Sequence, residues 1–191
     1  MQLILASKSP RRREILGAMG YHFDILTSEA DESLPEGMTP REGVELLAIR
    51  KGEAVARTLK EGEDVAILSS DTLVDLDGTA LGKPINEEDA FRMLRSLSGA
   101  THYVHTGVAV RCGDRVVSGV DSTAVYFRPL SDEEIRAYIK TGDPMDKAGS
   151  YGIQGAAGAF VRKIEGDFDT VMGLSSRLSE ELLDRIGVQK G

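Results

Sequence analysis

Leu3-Ile4-Leu5-Ala6-Ser7-Lys8-Ser9-Pro10-Arg11-Arg12-Arg13-Glu14-Ile15-Leu16 decides how the rest of this chain is read. The apolar run Leu3–Ala6 reads as a short strand, Ser7–Ser9 as a tight polar turn and Pro10 as the start of a helix. Ser9 suits the N-cap, because its hydroxyl can accept one of the helix's free N–H groups. Pro10 suits the first helical position, where a missing N–H costs nothing. Arg11, Arg12 and Arg13 then crowd the first turn, where the helix dipole disfavours each cation by about 0.3–1 kcal/mol. Solvation alone could relieve them. An anion at the same helix end would do more, since backbone N–H groups and guanidinium forks would both point at it.

Working outward, a second strand signal lies at Phe23–Leu26. Thr39-Pro40-Arg41-Glu42 is a capping-box pattern and opens a helix whose apolar side carries Val44, Leu47, Ala48 and Val55. Val65–Leu68 is the short continuous apolar run of a buried strand. Leu73–Leu81 predicts a hairpin turning at Asp77-Gly78. Asn86 caps a helix to about Leu97, with Gly99 just past its end. Tyr103–Arg111 and Arg115–Phe127 predict an antiparallel pair joined at Gly113-Asp114. Ser131-Asp132-Glu133-Glu134 is another capping box, a strand is expected near Ala159–Ile164, and a last helix near Ser175–Arg185. No repeat or linker divides these elements. They predict one domain, residues 1–191, of α/β class, with a mixed, partly antiparallel twisted sheet flanked by helices.

Composition narrows the function. The 191 residues carry a formal net charge of −8, which argues against a general nucleic-acid or membrane-surface binder. An anionic ligand must therefore be met by local positive charge. Cys112 is the single cysteine, so no internal disulfide can form and a reducing compartment fits. No segment reaches transmembrane length and no signal-peptide pattern opens the chain, so a cytoplasmic protein is expected.

The chemistry candidates lie near element ends. Asp71 follows the buried run by a Ser-Ser pair, and a carboxylate at a strand exit of an α/β fold sits where ligands usually bind. It could be a general base, a magnesium ligand or a turn-forming Asp. Glu29, Asp31 and Glu32 form an acidic cluster that offers hard oxygen ligands to a divalent cation or is a solvated loop. Lys51 lies on the long helix, and Lys83 stands before Pro84, which restricts its backbone. Ser150–Gly158 is uncharged and glycine-rich, permitting close approach to a planar ligand, and Gln154 could present its amide to a base edge. The glycine spacing fits neither a dinucleotide fingerprint nor a P-loop. No G-x-S-x-G elbow supports a Ser-His-Asp hydrolase.

Taken together, Leu5–Arg12 with Leu16, Ser70-Asp71-Thr72, Gly82-Lys83-Pro84, Leu97-Ser98-Gly99, Asp146-Lys147-Ala148-Gly149 and Tyr151-Gly152-Ile153-Gln154-Gly155 resemble the Maf family, in order and over nearly the whole chain. The resemblance implies an elongated Maf/ITPase-like fold with a cleft between two lobes. It implies a nucleoside triphosphate pyrophosphatase that cuts between the α- and β-phosphates, and it implies a divalent metal cation, Mg²⁺ or Mn²⁺. Arg11, Thr72 and Gln154 stand where the branch acting on dTTP and UTP has Arg, Thr and Gln. Ser70 departs from the Ala common there. Carried onto this chain, Asp71 is the catalytic base. Ser7, Arg12, Lys51 and Lys83 hold the triphosphate, Arg11, Thr72 and Gln154 meet the base, and Glu32, Asp31 and Asp71 hold the metal. The expected partners are the nucleoside triphosphate and, at most, a second copy of the chain in a homodimer; no nucleic acid or membrane is expected. A nucleotide-binding regulator of division with incidental hydrolysis, or a purine or 7-methyl-GTP pyrophosphatase, remain the alternatives.

Overall fold

The computed structural model describes residues Met1–Gly191. Seven strands form one mixed sheet: β1 (Gln2–Leu5), β2 (Asp24–Ile25), β3 (Val65–Leu76), β4 (Thr79–Leu81), β5 (Thr101–Cys112), β6 (Arg115–Phe127) and β7 (Val161–Glu165). Six α-helices flank it: α1 (Pro10–Ala18), α2 (Pro40–Ala56), α3 (Glu87–Leu97), α4 (Asp132–Lys140), α5 (Phe168–Met172) and α6 (Ser176–Ile186). The order across the sheet is β2-β1-β3-β5-β6-β7, with β4 added on β3. β1 runs parallel to β2 and β3, and every other pairing is antiparallel.

The local signals act as expected. Ser9 and Asn86 cap α1 and α3 with their side chains, and Thr39 and Ser131 form full capping boxes. Asp77 and Gly78 both take positive φ, 51° and 84°, as a two-residue hairpin turn of the primed kind requires. Two expectations need correction. The segment expected as two strands is one, β3, running unbroken through Ser69–Thr72. The short helix α5 is additional to the expected elements.

Strands β3, β5 and β6 are 12, 12 and 13 residues long, about twice the usual length. Their two halves serve different cores. Leu68, Val108, Val110 and Val117 pack with Leu16 of α1 and Leu178, Leu182 and Leu183 of α6. Val74, Val104, Val125 and Phe127 pack with Leu94 and Leu97 of α3 and Ile135 and Ile139 of α4. These are the two lobes. Between them β3 changes partners on one edge. β1 covers Val65–Leu68 and β4 covers Val74–Leu76, while β5 pairs along the opposite edge. On the first edge no strand pairs with Ser69–Leu73, a gap of about 16 Å at the usual rise per residue. Ser69, Ser70 and Asp71 are buried there and Thr72 and Leu73 half-buried, and this gap marks the boundary between the lobes.

Candidate active site

Alternation along β3 sends its polar residues to two faces of the sheet. Ser69 and Asp71 face α2. The Ser69 hydroxyl donates to the Ala48 carbonyl at 2.6 Å, and Lys51 Nζ donates to Asp71 Oδ1 at 2.5 Å. Lys51 also stands 3.4 Å from Glu32. Helix α2 reaches this close because glycine lies on both sides of the contact. A Cβ on Gly107 of β5 would fall 2.3 Å from the Val44 carbonyl oxygen, and one on Gly52 would fall 2.7 Å from Ser69 Oγ.

Ser70 and Thr72 face α1 and α5. Arg12 is the centre of that side. Its Nε donates to the Gly173 carbonyl at 2.6 Å, one Nη to Thr72 Oγ1 at 3.2 Å and the other to Ser7 Oγ at 3.4 Å. Burial lowers the pKa of the guanidinium and the Asp71 carboxylate opposes that shift; an arginine stays charged under both. The hydroxyls form a directed chain. Thr106 donates to the Thr170 carbonyl at 2.7 Å, so its one proton is used. Thr72 must then donate to Thr106, 2.9 Å away, while accepting from Arg12.

In that chain the Thr72 proton is directed to Thr106 and its oxygen to Arg12. The expected base-reading trio is divided. Arg11 and Gln154 line one groove with Phe168 and Met172, and Thr72 belongs to the Arg12 side. The placement of Asp71 differs from the expected one. It lies within β3 and not at the exit of that strand; the strand that ends beside it is β1. Ser7, just beyond β1, and Lys83, two residues beyond β4, bracket the uncovered edge. Ser7 is buried and Lys83 exposed. Arg13 is exposed.

The acidic residues are not assembled as the expected metal set. No three His, Cys, Asp or Glu side chains stand close enough to hold an ion. Asp31 is turned away, accepting from the Ser33 amide at 2.9 Å and lying 4.0 Å from Arg50. Glu32 and Asp71 remain, converging on the Lys51 ammonium. Two carboxylates completed by phosphate oxygens and water suit a magnesium-like ion, so this donor pair fits a divalent cation that arrives with its nucleotide.

Sequence reasoning missed Gly173, whose carbonyl accepts from both Arg12 and Ser70, and missed Thr106 and Thr170. No local signal marks them, because their partners lie 161, 103 and 64 residues away. It also missed Phe168, an exposed aromatic beside Gln154.

A mixed α/β sheet with a notched edge, lined by a carboxylate and by cations from both faces, defines a protein built to bind and act on a small polyanion. The comparisons agree with that class. Residues 2–186 match the Maf-like protein family, and the chain belongs to it. A protein of Moorella thermoacetica named dTTP/UTP pyrophosphatase is 49% identical over 189 residues, covering 98% of this chain and 96% of its own. Proteins of the same name from Pelotomaculum thermopropionicum and Bacillus velezensis are 44% identical over 188 residues and 46% identical over 173 residues. They cover 97% and 91% of this chain, and 97% and 90% of their own lengths.

Proposed function

We propose that the protein hydrolyses dTTP and UTP to the nucleoside monophosphate and pyrophosphate. The observation that carries the proposal is the uncovered edge of β3, where Asp71 stands with Lys51 on one face of the sheet and Arg12 on the other. The names of the relatives supply the substrates. A triphosphate laid along this edge meets Lys51 from α2, Arg12 and Ser7 from the start of α1, and Lys83 from the end of β4. Phosphoryl transfer asks mainly for such positioning and charge stabilisation. Asp71 takes the proton of a water that attacks the α-phosphorus in line, and pyrophosphate leaves against the cations. Lys51 holds one carboxylate oxygen, Oδ1, and leaves the other to the water. Glu32 and Asp71 would hold Mg²⁺ or Mn²⁺, which when bound neutralises phosphate charge and acidifies a coordinated water.

No helix is long and apolar enough to cross a membrane. A half-buried, unpaired Cys112 suits a reducing cytoplasm, which we take as the site of action. The test is product analysis with dTTP, UTP and GTP in the presence of Mg²⁺ or Mn²⁺. Monophosphate and pyrophosphate are expected from the first two. Release of orthophosphate and a diphosphate would sink the α–β cleavage, and equal turnover of GTP would sink the pyrimidine preference.

A further inference from the structure

We propose that Phe168 is the stacking surface for the substrate's pyrimidine base, in the groove between α1 and α5 where Arg11 and Gln154 lie. The proposal rests on the nucleotide reading of the Asp71 site and extends it to a residue outside that site. Phe168 is 44% exposed. The other phenylalanines of the second lobe, Phe127 and Phe160 in its core and Phe91 at its edge, have partners. Phe127 and Phe160 pack edge-on against neighbouring rings, and Phe91 lies under the Arg136 guanidinium. Phe168 has neither a ring nor a cation against it, so its face is open to a planar guest.

The groove has the composition such a guest needs. Its volume is about 400 Å³ and its lining joins Phe168 to the apolar Ile15, Met19 and Met172, to the polar Arg11 and Gln154, and to the carboxylates Glu14 and Asp169. Ligand pockets are mostly apolar with a few placed polar groups, at roughly 300–1,000 Å³. A pyrimidine base offers two flat faces and an edge with two carbonyls and one ring N–H. Phe168 meets a face. Arg11 supplies donors to the carbonyls, and the Gln154 amide supplies both a donor and an acceptor. The 5-methyl of thymine has Ile15, Met19 and Met172 to pack on.

The placement also fits. Just past the C-terminus of α5 is Gly173, whose carbonyl accepts from Arg12, and Phe168 is the first residue of the same helix. One short helix thus ties the two subsites together.

The full-length protein is assayed with dTTP as substrate and inorganic tripolyphosphate as a competing ligand that has no base. Stacking of one base on an aromatic side chain supports an expected fall of about tenfold or more in dTTP kcat/KM for Phe168→Ala. The fall should appear mainly in KM, with the inhibition constant of tripolyphosphate unchanged, and Phe168→Tyr should recover most of it. An unchanged dTTP kcat/KM in Phe168→Ala would overturn the inference. So would a parallel weakening of tripolyphosphate, which would make Phe168 a support of the phosphate site. Wild-type protein that makes no pyrophosphate from dTTP would overturn the reading of the Asp71 site instead. Calorimetric binding of dTMP to wild type and Phe168→Ala then decides the groove alone, and equal affinities would sink it.

Discussion

Asp71 and Asp75 lie on the same face of β3, each with a basic side chain against it. Lys51 Nζ is 2.5 Å from Asp71 and His105 Nε2 is 2.8 Å from Asp75. The second place looks the more reactive by residue type. His105 Nδ1 also sits 2.6 Å from the Ser122 hydroxyl, which completes the acid, base and hydroxyl of a hydrolytic triad. The surroundings differ in the way that matters. Beside Asp75 the edge of β3 is closed by β4, through the pairing Asp75↔Ala80. Asp75 Oδ1 is also engaged in accepting from the Gly78 amide of the hairpin turn. Beside Asp71 the edge is uncovered, and cations approach from two faces. A triad on the flat face of a paired sheet has nowhere to seat a substrate. A carboxylate at a gap in the sheet does, which makes the missing backbone partner a better guide to function than the residue types.

The sharpest way to break this comparison is to neutralise each carboxylate in turn. Asp71→Asn should keep the fold, seen by circular dichroism, and lower pyrophosphate release by about 10²–10⁴-fold, the usual worth of a general base. Asp75→Asn should stay within about twofold of wild type, since it touches no part of the phosphate site. Comparable losses at both positions would end the contrast.

The two histidines of β5 sharpen it further, because they face opposite sides of the sheet. His102 is fully buried, with Nε2 against the Tyr151 hydroxyl at 2.6 Å and Nδ1 unpaired. Burial drops its pKa from 6.5 to about 4. The unfolded chain therefore binds a proton more readily than the folded one. Its contribution to stability is complete above pH 6.5 and is lost as the pH falls through about 4, on the order of 3 kcal/mol in all. Urea midpoints measured from pH 7 to 4 should fall steeply for wild type and less for His102→Gln. Identical slopes would mean that His102 stays neutral in neither state.

Arg12 and Arg13 extend the comparison to one helix turn. Arg12→Ala removes bonds to Gly173, Thr72 and Ser7 along with the charge-assisted phosphate contact proposed for it. It should lower kcat/KM about tenfold or more and also lower Tm. Arg13→Ala should change neither beyond experimental scatter, and equal small effects at both would remove the helix start from the phosphate site. The smallest expected effect separates Glu32 from Asp31. Glu32→Gln should raise the metal concentration for half-maximal activity a few-fold, and Asp31→Asn should not. A shift in Asp31→Asn alone would reverse the assignment.

The site was legible in the sequence residue by residue and illegible in its grouping. Arg12 and Asp71 stand out from local context and Lys51 only through the family resemblance, and the structure brings Lys51 and Arg12 to the two sides of Asp71. Arg11, Thr72 and Gln154 stood out as a set, and the structure divides them, because the Thr72 hydroxyl finds Thr106 on the paired strand β5. The polar pair Ser69-Ser70 ends the apolar run Val65–Leu68 in sequence, which predicts a strand exit at Asp71. The pair stays in the strand because its hydroxyls are satisfied from elsewhere, Ser69 by Ala48 on α2 and Ser70 by Gly107 and Gly173.

Most helix starts, the hairpin turns and the apolar faces of the strands are written locally in the chain, α5 excepted. Caps, turns and alternation depend on groups within about four residues of one another, so the chain specifies them locally. Long-range packing places β1 and β4 on one edge of β3 with a gap between them, holds Arg12 on a carbonyl 161 residues away, and opens Phe168 onto the same groove as Gln154. Those outcomes follow from packing two cores against one set of long strands, and no window of sequence contains the partners that settle them.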